Sequence, residues 1–197
     1  MMRLIALILV MMIGQAAADG TFRVGVVAFP PAGADPRKSV SAIGAYAWSP
    51  MLEALTAFSE TSELIPGLAV SWTPATPQTW ILKLRPNVVF SNGTPMDAAA
   101  VAANIQWLLT PEGRTSVAAR SIGAISGVKV IDPLTVQIST STPNAILPRE
   151  LSTLYIVEPR QWETLGPEGF AKRPIGTGSF ILESWGPARI TYTANPK

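Results

Sequence analysis

Three features of this chain carry residue types that could do chemistry. Asn92-Gly93-Thr94 spells an N-glycosylation acceptor, and Gly176-Thr177-Gly178 has the composition of a phosphate cradle. Thirteen Asp and Glu residues could supply general acids and bases. Against them stands a double absence: the 197 residues include no histidine and no cysteine. A thiol nucleophile and a Ser-His-Asp triad are therefore excluded, and zinc, haem and iron–sulfur sites lose their usual ligands. The acidic residues are scattered singly, so no carboxylate pair points to an enzyme. The Gly176 turn precedes a strand pattern instead of opening a helix, and it lacks the lysine of a P-loop. It reads as a backbone turn.

The apparent sequon reads as punctuation too. Asn92-Gly93 tolerates positive φ and reverses the chain after a strand. Thr94 is placed as an N-cap, Pro95 as the first helical residue, and Asp97 as the acid of a capping box. Val101, Ile105, Leu108 and Leu109 then form one apolar stripe at helical spacing. Each residue of the triplet has a structural job.

The elements that hold these motifs follow in order. Arg3, the apolar run from Leu4 to Ile13 and the small residues Ala16 to Ala18 have the parts of a secretory signal peptide, with cleavage expected near Ala18. Ten apolar residues reach about 15 Å as a helix, half a bilayer, so the segment is too short to span. The lack of cysteine leaves no site for a lipid after cleavage and no disulfide, so the core itself must stabilise an exported product. Loss of Arg3 leaves fourteen basic against thirteen acidic residues, and the pairs Arg37-Lys38 and Lys172-Arg173 read as solvated surface, with no nucleic-acid footprint. Eighteen prolines break the chain into short elements, which predicts an α/β fold. Thr21 to Phe29 reads as a buried strand, and Ala42 to Phe58 as helical, with Pro50 starting its regular part. Trp80, Leu82 and Leu84 alternate with Ile81, Lys83 and Arg85 as a half-buried strand, and Ser126 to Thr140 forms two strands about Asp132-Pro133. Ala145 to Leu154 fits helix or strand, 159–170 a short helix and loop, and Phe180–Trp185 with Arg189–Ala194 a final pair of strands.

This order of signals resembles the family 5 extracellular solute-binding proteins of ABC importers, which bind peptides, dipeptides and nickel. Leu68, Ser71, Trp72, Thr79, Trp80, Leu84, Arg85, Phe90, Asn92, Gly93, Pro95 and Val101 match the first motif block of the family. Asp132, Thr135 and Val136 match the second, and Pro174 to Phe180 the third; Asp35-Pro36 and Met51 to Leu55 fit its start.

The resemblance implies a non-catalytic protein of two lobes that close by a hinge around a ligand and dock on a membrane permease. It implies the N-terminal part of that two-lobed periplasmic-binding-protein fold, a mixed sheet of lobe I with an inserted α/β subdomain. The implied limits are 1–18 for the signal, 19–60 for the start of lobe I, 61–170 for the inserted subdomain and 171–197 for the return strands. It also implies a chain more than twice this long, so the second lobe is expected to be missing: supplied by another chain or, the preferred reading, lost by truncation. The cleft-lining positions carried over are Phe29, Asp35, Tyr46 and Trp48, with Tyr46 and Trp48 alternatively core aromatics. Trp72, Trp80, Trp107 and Trp185 are expected to pack. Peptide import is the expected role, without a cofactor or resident metal, although nickel-binding relatives hold a chelated metal. An exported, chaperone-like interaction module and a non-functional, pseudogene-type fragment are the alternatives.

Overall fold

The computed structural model describes residues 20–26, 28, 35–38 and 42–196. The expected signal peptide and Phe29 lie outside them. All strand pairings among the described residues are antiparallel.

The chain's strongest alternation builds its centre. Strands β3 (Ala69–Thr76), β4 (Thr79–Leu84), β5 (Ile125–Asp132) and β6 (Thr135–Thr140) form one sheet in the order β3-β4-β6-β5. Leu82 pairs with Val136, and Trp80 with Ile138, so alternate side chains present one apolar face. Helix α2 (Ala98–Leu109) covers that face, sharing a core through Val101, Ile105 and Leu108 with Leu82, Leu84, Val136 and Ile138. Asp132 makes the β5–β6 turn by accepting a hydrogen bond from Leu134 N at 2.8 Å, as the Asp-Pro signal predicts.

Helix α2 starts three residues later than predicted. Asn92 Oδ1 accepts from both the Thr94 N–H (3.1 Å) and the Thr94 hydroxyl (2.7 Å), while Gly93 sits at φ +86°. The Thr94 hydroxyl is thereby committed to the turn. Phe90 N donates to Thr94 O and Met96 N to Val88 O, which keeps 94–96 extended. Asp97 takes the N-cap, accepting from Ala100 N at 2.9 Å.

A second correction concerns residues 42–58. Helix α1 (Ala42–Trp48) ends before Pro50, because the residue preceding a proline is pushed out of the helical region. Residues Thr56–Phe58 (β1) instead pair with Leu64–Pro66 (β2). A third concerns Thr21 to Phe29: the described residues 20–26 are exposed and join no strand pairing among the described residues, so they are not a buried strand.

Short helices α3 (Pro111–Thr115) and α4 (Val117–Ser121) link α2 to β5. The ambiguous segment is helix α5 (Leu147–Glu150) and a 3-10 turn. Helix α6 (Pro159–Lys172) breaks at Gly166, φ +64°, just before Pro167. The final strands β7 (Phe180–Trp185) and β8 (Ile190–Ala194) form a hairpin of their own. It packs on a second core of Trp48, Met51, Leu52, Val157, Trp162 and Phe170 through Leu182, Trp185 and Tyr192. The Tyr192 hydroxyl donates to Ala47 O at 2.8 Å, tying the hairpin to the end of α1.

Candidate functional site

Among the expected site positions, Asp35 leads to the most elaborate local structure. It is 1% exposed, and its Oδ1 accepts from Arg37 N at 3.0 Å. That turn delivers Arg37 into the molecule, where it is 5% exposed, so this arginine is not the solvated surface residue predicted. Its guanidinium lies between two indoles, 3.7 Å from the Trp162 ring centroid and 4.1 Å from that of Trp107. One nitrogen, Nη2, donates to Asn104 Oδ1 at 3.0 Å. The Asn104 amide donates in turn to Ala100 O and Val157 O, and its oxygen also accepts from Val157 N. The Arg37 carbonyl accepts from Val117 N and Ala118 N at the start of α4. One buried residue thus joins α2 and α6 through its side chain and α4 through its carbonyl to the segment 35–38.

Burial sets the electrostatics of this knot. It pushes the Asp35 carboxyl above its ordinary value, opposed by the Arg37 N–H and the charges of Arg37 and Lys38. It lowers the Arg37 guanidinium to about 9, opposed by Asp35 and Glu112. At neutral pH the guanidinium keeps its proton, as stacking between two π faces favours.

The structure separates the other two expected positions. Trp48 is 1% exposed in the second core, edge-on to Tyr155 at 6.3 Å between centroids and 74°. Tyr46 is two residues earlier on α1 and 61% exposed. Trp48 is thus the core aromatic of the earlier alternative, and Tyr46 faces solvent. Asp35 and Trp48 belong to connected packing, since Arg37 stacks on Trp162 of the same core, while Tyr46 stands apart from it.

A polar cleft of about 420 Å³ lies elsewhere, lined by Glu53, Arg85, Asn87, Thr177, Ser179 and Asn195 among others. Arg85 Nη2 grips both Glu53 oxygens at 2.8 and 2.9 Å. In the same cleft, the buried atoms Thr177 Oγ1 and Asn195 Oδ1 have no hydrogen-bond partner among the described residues. The glycines of the third motif block flank Thr177, and Gly178 lines the cleft itself. A Cβ at Gly176 would collide with the carbonyl of Met51, and one at Gly178 with that of Pro50. Gly176-Thr177-Gly178 is a close-approach turn, as its sequence context indicated. The cleft offers hydrogen bonds and a neutralised charge pair, which suit a polar or zwitterionic group. Sequence reading missed it, because Glu53, Arg85 and Asn195 are far apart in the chain and each sits in an ordinary context.

No helix among the described residues is long and apolar enough to cross a membrane. Nor do they contain a cluster of three or more acidic side chains able to hold a metal ion.

Comparison with solved structures defines the class first. The Haemophilus influenzae OppA complex with RPPGFSPFR superposes with a TM-score of 0.76 at 21% identity, over 85% of this chain and 37% of that one. A nickel ABC transporter structure from Bacillus halodurans is 30% identical, TM-score 0.68, over 83% and 33%. The fold is that of part of an ABC-transport binding protein. Residues 63–197 match the bacterial extracellular solute-binding proteins, family 5, and the chain belongs to that family. The nickel-binding periplasmic protein of Escherichia coli is 32% identical over 147 residues, 70% of this chain and 27% of that protein. The glutathione-binding protein GsiB of Salmonella paratyphi A is 32% identical over 110 residues, 54% and 21% respectively. The chain thus spans about a quarter of the curated relatives it matches and about a third of the solved ones.

Proposed function

We propose that this chain serves a periplasmic solute-binding component of an ABC importer, capturing a small solute, peptides first, without making or breaking a bond. The observation that carries the reading is the family match across residues 63–197. In this reading the leader is cleaved near Ala18, the product works outside the inner membrane, and a permease is its partner. Residues 19–60 and 171–197 belong to one lobe, and 61–170 to a subdomain inserted in it. Phe29, Asp35, Tyr46 and Trp48 mark its ligand side. Tyr46 is the exposed contact, Asp35 holds its loop through Arg37, and Trp48 packs beneath.

The test is thermal unfolding against short peptides, glutathione and nickel–histidine chelates. A ligand at a hundred times its Kd raises stability by about 2.7 kcal/mol. Peptides should give the largest shift, and Tyr46→Ala should abolish it while leaving the ligand-free Tm unchanged. A shift with the nickel chelate alone transfers the assignment to chelated metal, and no shift across the panel overturns it.

A further inference from the structure

Asn92-Gly93 is the only Asn-Gly step in the sequence. Such a step is prone to deamidation, because a glycine leaves its own nitrogen unshielded beside the Asn carboxamide. Hydroxide takes the proton of the Gly93 amide, and the nitrogen attacks Asn92 Cγ. The Cγ–Nδ2 bond breaks, and Nδ2 departs as ammonia with a proton from water, which returns the hydroxide. A five-membered succinimide remains, and water opens it at either carbonyl to give aspartate or isoaspartate. Solvent supplies every co-reactant.

Surface position favours this reaction. Asn92 and Gly93 are both exposed, and the space beside the Gly93 Cα is open. The carboxamide is polarised as well, since Oδ1 accepts from the Thr94 N–H at 3.1 Å and from the Thr94 hydroxyl at 2.7 Å. An oxygen held by two donors suits the negative charge that develops on addition.

The nucleophile is the restrained half. The Gly93 N–H donates to Phe90 O at 2.8 Å. Taking its proton there would set an amide anion against a carbonyl oxygen, and a neighbouring negative charge opposes ionisation. That carbonyl is not free to swing aside. Phe90 is fully buried, its own N–H donates to Thr94 O, and Ser91 N donates to Gly176 O. The same turn therefore activates the electrophile and disarms the nucleophile.

We propose that Asn92 is a latent modification site: the closed turn at 90–94 blocks its deamidation, and opening of that turn starts it. Deamidation is slow against loop motion, so its rate follows the equilibrium fraction of open turn. Opening releases the Gly93 bond and both Thr94 bonds, each worth roughly fivefold, so closure should slow the reaction about a hundredfold. Modified chains then mark molecules whose turn has opened. Of the two products, aspartate keeps a side-chain oxygen for Thr94. Isoaspartate instead adds a carbon to the main chain, out of register with the bond from Phe90 N to Thr94 O. The inference does not depend on which solute the protein binds.

The test holds the full chain in mildly alkaline buffer, folded or unfolded in guanidinium chloride, and follows the peptide carrying residue 92 by mass spectrometry. The folded chain should deamidate about a hundredfold more slowly than the unfolded one. Thr94→Val removes the hydroxyl donor and should speed the folded-state reaction about fivefold, with circular dichroism verifying the fold. The two wild-type rates give an answer whether or not that variant folds. Equal rates in the folded and unfolded wild type, or a folded Thr94→Val chain that reacts no faster than wild type, would each overturn the proposal.

Discussion

Removing the Arg37 side chain should test whether its volume or its charge holds the N-terminal segment to the body. Burial lowers the guanidinium to about 9, against about 12.5 for an unperturbed arginine, which corresponds to roughly 5 kcal/mol against the charged form. Two desolvated ring faces, at 3.7 and 4.1 Å, return about 2 kcal/mol each. The bond to Asn104 Oδ1 at 3.0 Å adds about 1.5 kcal/mol. These contributions nearly cancel, so the charge itself contributes close to nothing. Filling the space between Trp107 and Trp162 is what remains.

Arg37→Ala empties that space and should cost about 3 kcal/mol, in the range of large-to-small core substitutions. For a chain of this size that is about 6–12 °C in Tm. Arg37→Met refills it, but alone it would strand the Asp35 carboxylate, so the informative variant combines it with Asp35→Asn. The side-chain amide oxygen that Asp35→Asn introduces can still accept from the N–H of residue 37. The double variant should unfold within about 1 kcal/mol of wild type. Urea unfolding followed by far-ultraviolet circular dichroism gives both values. If Asp35→Asn/Arg37→Met falls as far as Arg37→Ala, the guanidinium's charge and hydrogen bond hold the segment and the volume argument is wrong.

Two further outcomes follow from close contacts. Gly176→Ala should lose about 1–3 kcal/mol in urea unfolding, because its Cβ meets the Met51 carbonyl and Leu52 with no space to shift. Gly127→Ala, facing open space, should stay within about 0.5 kcal/mol. Tyr192→Phe should cost about 1 kcal/mol at neutral pH by leaving the Ala47 carbonyl without its donor. Burial pushes the Tyr192 phenol up to about 12 from 10.0, so the folded state holds its proton longer than the unfolded chain. Wild-type stability should therefore fall as pH rises from 10 towards 12, and the Phe variant should fall less steeply. An identical slope in the two proteins would show that Tyr192 is not held as described.

Much of the fold was legible because its information is local. Alternation from Trp80 to Arg85, the Asp132-Pro133 turn and the Phe180–Trp185 pattern each specify one element from its own residues, and each appears within a residue of its place. The misplaced start of α2 shows where local information runs short. Thr94 and Asp97 are both competent N-caps, and the choice is made by Asn92 Oδ1 and by pairing of 88–90 with 94–96. Residues 51–58 erred for the same reason: Met51, Leu52 and Leu55 are buried as helical spacing suggested, but they feed two different cores. The Arg37 knot was illegible. Nothing in Asp35-Pro36-Arg37-Lys38 signals burial, because its partners are Asn104, Trp107 and Trp162, brought close only by α2 and α6.

That contrast explains why family membership is read more easily than a ligand. The matched motif positions are fastened to the scaffold. Arg85 holds Glu53, the Trp80 indole donates to Asn144 O at 3.0 Å, Asn92 closes a turn, and Gly176 lies against Met51. Substituting any of them disturbs packing or hydrogen bonds whatever solute is bound. Tyr46 has the opposite character: it is exposed, and its replacement disturbs no core. Positions of that kind are free to follow a ligand's chemistry, so side chains that choose a solute carry little of the pattern that announces the fold.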